Sequence, residues 1–109
     1  MGQPGCRPGE RGRGLIPEWT EAALEARFAQ LDFIALDKPT AAIDMDERIE
    51  RQTERLLDHP NLGRKGRVKG TRELVITGSP FIVVYRVLGE RVEIFRFLHG
   101  AQQWPTKKP

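Results

Sequence analysis

Hydrophobic spacing changes character once along this chain, near residue 70. Upstream of that point apolar residues recur at intervals of three and four: Leu24, Phe28, Leu31 and Ala35, then Ala42, Met45, Ile49 and Leu56. Such spacing puts each set on one face of a helix. Thr20 is placed to cap the first helix, and Trp19 and Leu24 have the separation of a hydrophobic staple. Pro39 suits the first turn of the second helix, where its missing N–H would lack an intrahelical partner in any case. Pro60 disfavours helical geometry at His59 and ends it. The polar run "DERIERQTER" at 46–55 interleaves Glu and Arg at helical spacing and reads as a solvated face. Two antiparallel helices are expected.

Downstream, "TRELVI" (71–76), "FIVVYRV" (81–87) and "VEIFRFL" (92–98) are dense in Val, Ile and aromatic residues, with short Gly-bearing turns between them. That is the pattern of an antiparallel meander. The middle run is apolar at almost every position, as a central strand covered at least in part on both faces would be. "LIPEW" at 15–19 adds a short strand candidate, which Pro17 confines to an edge or a strand start. The helical stripes need a sheet to cover them, so the expected fold is α+β: an N-terminal helical hairpin packed on one face of a small, mainly antiparallel sheet.

The first fourteen residues, "MGQPGCRPGERGRG", offer nothing to bury, and ordering them would cost backbone entropy without a hydrophobic return. The expectation is a disordered leader at 1–14, one folded domain at 15–105 and a flexible basic tail at 106–109. With 109 residues there is material for one core. No apolar run is long enough to span a bilayer, so no membrane partner is expected. Cys6 is the single cysteine and falls in the leader, which rules out an internal disulfide and favours the cytoplasm. His59 and His99 stand at spacings unrelated to it and to each other, so no metal site is expected; nothing in the sequence calls for a cofactor.

Charge alters this picture in one place. From Glu18 to Asp58 there are eleven acidic and five basic residues, whereas Arg64, Lys65, Arg67, Lys69 and Arg72 crowd five positive charges into nine positions. That basic stretch reads as a solvated loop, or as a surface that attracts phosphate or an acidic partner.

Polar residues also interrupt the last strand. Without a bulge, Val92, Ile94, Arg96 and Leu98 would share one face and Glu93, Phe95, Phe97 and His99 the other. Arg96 on an apolar face must reach an acceptor or a wet edge, since an unpaired buried charge is prohibitive; Glu73 is one carboxylate that would serve. His99 has the titration range of a general acid or base, or simply hydrogen-bonds a carbonyl. Trp104 is a core residue or a target contact. No Walker loop, H-E-x-x-H or G-x-G-x-x-G motif is present, and Ser79, the only serine, lies in a Gly-Ser-Pro turn.

The order of strand, helical hairpin and meander, with Pro-x-x-Gly-Arg at 60–64, Gly-x-Arg-Glu-Leu at 70–74, Val-Tyr-Arg-Val at 84–87 and Arg-x-Leu-His-Gly at 96–100, resembles the RelE/ParE superfamily of toxins from type II toxin-antitoxin systems, over residues 15 to 104. The resemblance implies a cognate antitoxin as partner and a toxin-antitoxin hetero-oligomer. It also implies one of two activities. Ribosome-dependent ribonucleases of the superfamily cut mRNA, and several carry an arginine in the central strand; Ile82 occupies that place here, and Gly100 stands where others have arginine or tyrosine. Only His99 would remain as the catalytic acid or base, with Lys69, Arg72 and Arg96 in support.

The Arg-x-Leu-His-Gly ending resembles instead the ParE branch, whose characterised members poison DNA gyrase. The resemblance thus favours a plasmid-stabilisation toxin that inhibits gyrase by protein binding, with Arg64, Lys65, Arg67, Lys69, Arg72, Arg96, His99 and Trp104 as target-contact candidates. The alternatives are a ribosome-dependent mRNA endonuclease using His99 and a degenerate protein that only binds its antitoxin.

Overall fold

The computed structural model describes residues 17–100; the leader at 1–14, Cys6, the strand positions Leu15 and Ile16, Trp104 and the tail at 106–109 lie outside the described residues. Seven elements follow in order: β1 (Glu18–Trp19), α1 (Glu21–Asp37), α2 (Pro39–Asp58), β2 (Arg64–Lys65), β3 (Arg72–Val75), β4 (Phe81–Leu88) and β5 (Arg91–His99). The sheet order is β1-β5-β4-β3-β2, which makes β4 the central strand. β1 runs parallel to β5 and every other pair is antiparallel. The fold is the expected α+β arrangement, and β1 is the edge strand that Pro17 requires.

Both helices begin where the sequence places their starts. The Thr20 hydroxyl accepts from the Ala23 N–H at 3.2 Å, and Pro39 opens α2. Only Lys38 separates the two helices, so the chain must double back at once. Ala42, Ile49, Thr53 and Leu56 form the buried stripe of α2, with Met45 packed beside it. The other face of α2 is not wholly solvated: Asp46 and Glu50 are engaged with α1, and the Gln52 carboxamide accepts from the Thr77 N–H at 2.8 Å.

The buried face of α1 differs from the one its spacing suggests. Ala23 and Arg27 are buried, with Ala26, Leu31 and Ile34 against the core, whereas Phe28 is exposed. This helix is apolar almost all the way round, so spacing alone does not select a face. Arg27 selects it. Its Nη2 donates to Asp46 Oδ1 at 2.6 Å and to Glu50 Oε1 at 2.9 Å, and its guanidinium lies 4.6 Å from the centre of the Trp19 ring. Residues on either side of Lys38 at comparable distances therefore meet, as an antiparallel hairpin demands.

The core lies between this hairpin and one sheet face, built from Leu74, Ile76, Phe81, Val83, Tyr85, Val92, Ile94 and Phe97 with Ile49 and Leu56. Gly89 has φ +63° in the two-residue β4–β5 turn, the backbone conformation a tight hairpin needs at its first central position. The β4–β5 register then slips once: Val84 faces Arg96 while Tyr85 faces Ile94, leaving Phe95 as an extra residue on β5.

That bulge corrects the expected alternation. Val92, Ile94 and Phe97 all reach the helix-covered core, and Arg96 moves to the opposite face with Val84, where it is exposed.

Removing the Arg27 side chain leaves two carboxylates without their cation and a gap under Trp19. Arg27→Ala should lower stability by about 2 kcal/mol, the scale of hydrogen bonds to charged groups at a half-exposed site. Urea unfolding of the two proteins measures it.

Candidate functional site

Tyr85 stands at the middle of β4 with its side chain fully enclosed, and its hydroxyl reaches the segment that leaves α2. It donates to the Pro60 carbonyl at 2.7 Å and accepts from the Gly63 N–H at 2.9 Å. The Gly63 carbonyl in turn accepts from Arg72 Nη1 at 2.7 Å. A Cβ on residue 63 would sit 2.7 Å from the Glu73 carbonyl oxygen and 2.8 Å from the Tyr85 ring, closer than packed atoms allow. Glycine is the residue that fits. Burial pushes the Tyr85 hydroxyl's pKa up, against smaller opposing effects of the Gly63 N–H and Arg72, so it stays a neutral donor.

Next to this junction Glu73 is buried to 1% exposure on β3. Arg64 Nη2 approaches Oε1 at 3.1 Å, and Arg67 donates from its backbone N–H and its Nε to Oε2, both at 3.1 Å. Burial alone would raise this carboxyl's pKa, but the hydrogen bonds from Arg67 and Arg64 outweigh it and hold the group below its ordinary 4.5. The same cross-strand pair turns Arg64–Lys65 into a strand where the sequence suggests only loop: Arg64 lies opposite Glu73, and Lys65 opposite Arg72.

The basic stretch is thereby divided. Arg64 and Arg67 are committed to Glu73. Lys65, Lys69 and Arg72 line a cleft of about 360 Å³ instead, and Arg86 joins them from β4, itself hydrogen-bonded to Glu93 at 2.8 Å. Arg86 carries no mark in the sequence that ties it to a loop some fifteen residues upstream; the β3–β4 register brings it there.

The two polar residues of the last strand part company. Arg64, Glu73, Val84 and Arg96 form one cross-strand row, so Arg96 stands two strands, roughly 10 Å, from the carboxylate suggested for it. The strand-fastening role falls to Arg64. His99 ends β5 on the other face, opposite Phe81, whose ring it meets edge-on at 5.9 Å. Arg72 lies opposite Tyr85, four residues along β4 from Phe81, roughly 13 Å at strand rise, with the packed row of Leu74, Val83 and Phe97 between. Lys69 and Arg72 are thus together, His99 is remote from them, and Arg96 is on the reverse of the sheet. Ile82 is half-buried between Val75 and Leu98 on that reverse face.

A helical hairpin on one face of a five-stranded mixed sheet is the architecture of the toxins in two solved structures. One, titled as the chromosomal ParDE toxin-antitoxin system from P. aeruginosa, is 27% identical with a TM-score of 0.69, over 78% of this chain and 95% of that one. The other, the intact E. coli RelBE toxin-antitoxin complex, is 14% identical with a TM-score of 0.51, over 81% of this chain and 98% of that one, and speaks to the fold alone.

The family model described as "ParE toxin of type II toxin-antitoxin system, parDE" matches residues 18–104. A candidate toxin of Sinorhizobium fredii, Y4kP, is 40% identical over 87 residues, which is 80% of this chain and 90% of the relative. The chain belongs to the ParE toxin family of type II toxin-antitoxin systems, on the ParE rather than the RelE side of the superfamily. Among the described residues no helix is long and apolar enough to cross a membrane.

Two expectations follow from this junction. Tyr85→Phe leaves the Gly63 N–H and the Pro60 carbonyl without their shared partner and should cost about 1–3 kcal/mol, read by thermal or urea unfolding. Because the folded pKa of Glu73 lies below its unfolded value, its contribution to stability is complete above about pH 4.5 and is lost as pH falls through the folded pKa. Glu73→Gln should therefore be less stable than wild type at neutral pH, and the difference should narrow on acidification below that point in unfolding curves taken across pH.

Proposed function

We propose that this protein inhibits DNA gyrase by binding it, in the cytoplasm, and is neutralised by a cognate antitoxin. The observation that carries the choice of a binding poison over a ribonuclease is the separation of the candidate catalytic groups. A general acid or base and the cations that stabilise a phosphorane must converge on one phosphate within hydrogen-bond reach. His99 and Arg96 address opposite faces of the sheet, and Lys69 and Arg72 are gathered at the far end of it from His99. The superfamily arginine of the central strand is replaced by Ile82.

Membership of the ParE family supports the antitoxin as partner, as does the similarity to the P. aeruginosa ParDE toxin-antitoxin system. The surface is consistent with it: Phe33 and Leu36 near the end of α1 are 71% and 85% exposed, and Ile43 on α2 is 59% exposed. Three large apolar side chains at one hairpin tip suit a protein cover.

His99→Ala decides between the mechanisms. A binding poison should keep its toxicity, within a few-fold, and trap gyrase–DNA cleavage complexes with purified gyrase. A ribonuclease would lose on the order of 10²- to 10⁴-fold in rate. Ribosome-dependent mRNA cuts by the wild type that vanish in the variant would overturn the proposal.

A further inference from the structure

We propose that the cleft between β2, the loop at 66–71 and β4 binds the phosphodiester backbone of duplex DNA. Its wall carries Lys65, Lys69, Arg72 and Arg86, with Asn61 and Thr71 as neutral polar groups and, among the described residues, no carboxylate. Which cations are available matters more than their number. Arg64 and Arg67 are both held by the single carboxylate of Glu73, which offsets one of their two charges, and Arg86 is paired with Glu93. No ion pair engages Lys65, Lys69 or Arg72 among the described residues, and Arg72 spends one of its five N–H donors on the Gly63 carbonyl.

Three uncompensated cations converge on one recess, and a forked guanidinium with donors to spare is suited to phosphate oxygens. The loop is held in shape without a ligand: the Gly66 N–H donates to the Thr71 carbonyl at 2.8 Å, and the Thr71 hydroxyl donates to the Val68 carbonyl at 2.6 Å.

The lining also says which part of a nucleic acid it suits. Val68 and Val87 are its apolar members, and among the described residues it has no aromatic ring on which a base would stack. Contacts made by Lys and Arg to phosphates position a protein on a duplex without reading sequence. The choice of DNA over RNA rests on the gyrase reading, since gyrase holds duplex DNA; the cleft then lets the toxin grip protein and DNA together. Nothing in this requires chemistry on the phosphate.

The test uses the purified full chain and a short labelled DNA duplex of arbitrary sequence, without gyrase, followed by fluorescence anisotropy. Three neutralised phosphates should give a salt dependence of about −0.9 each, so affinity should fall about 40-fold between about 50 and 200 mM salt. Lys65→Gln combined with Lys69→Gln should reduce that to about three- to four-fold. Both residues are exposed, and neither side chain has a hydrogen bond or ion pair among the described residues, so circular dichroism and the melting temperature should match wild type.

A salt slope unchanged in the double variant would overturn the proposal, as would no duplex binding at low salt. So would tighter binding of single-stranded RNA, or of an acidic peptide, than of duplex DNA. Binding of gyrase subunits in the absence of DNA is measured separately. Should that fail while duplex binding follows Lys65 and Lys69, the gyrase reading falls and the cleft stands.

Discussion

The hydroxyl of Tyr85 is the point on which the β2–β3 end of the sheet depends. One oxygen, carried by the central strand, holds two backbone groups of the segment leaving α2, and those two groups fix where the chain re-enters the sheet as β2. If Gly63 moved, Arg64 would lose its register with Glu73, and Lys65 its place beside Arg72. Several of the short motifs that run through the second half of the chain meet here. Pro60 and Gly63 supply the backbone partners, Arg72 secures the carbonyl of Gly63, Glu73 gathers two arginines, and Tyr85 joins the whole to the core. Residues that look like a functional signature along the sequence are, in large part, the parts of one joint.

Glu73 has a second effect, on charge. A buried carboxylate with two arginines is a costly way to hold two strands, because each ion gives up water and regains it only through good geometry. Here the geometry is good, and the acid sorts a run of like charges. Two of the five cations are tied to one carboxylate, and the other three are left lining the cleft that Arg86 enters from β4. A run of lysines and arginines that would repel itself in a loop becomes a short strand with a defined polarity. The cationic recess is therefore a product of the sheet register as much as of composition.

The helices, the meander and the central place of β4 are legible because burial imposes a period on each, and the period survives in the residues. β2 is not legible, since two charged residues carry no alternation; it exists because Glu73 stands across from Arg64. The buried face of α1 is hidden for the opposite reason, apolar residues all round, and Arg27 resolves it through partners eight and twelve residues beyond Lys38. Of the site, Lys65, Lys69 and Arg72 show as a cluster by their nearness in sequence, whereas Arg86 reaches it only through strand pairing. The faces of Arg96 and His99 depend on one irregularity at Phe95, and a bulge leaves no trace in a pattern of alternate residues.

That single extra residue acts as a phase shifter between the two halves of β5. Ahead of it the strand is bound to the helices through Val92 and Ile94; behind it, the side-chain parity is set afresh. Loss of that one residue would exchange the outward and inward sets of the terminal half, turning Phe97 out of the core and Arg96 into it, so the bulge is held in place by the packing of Phe97. One backbone irregularity thus decides which of two neighbouring side chains, a phenyl ring or a guanidinium, meets the helices.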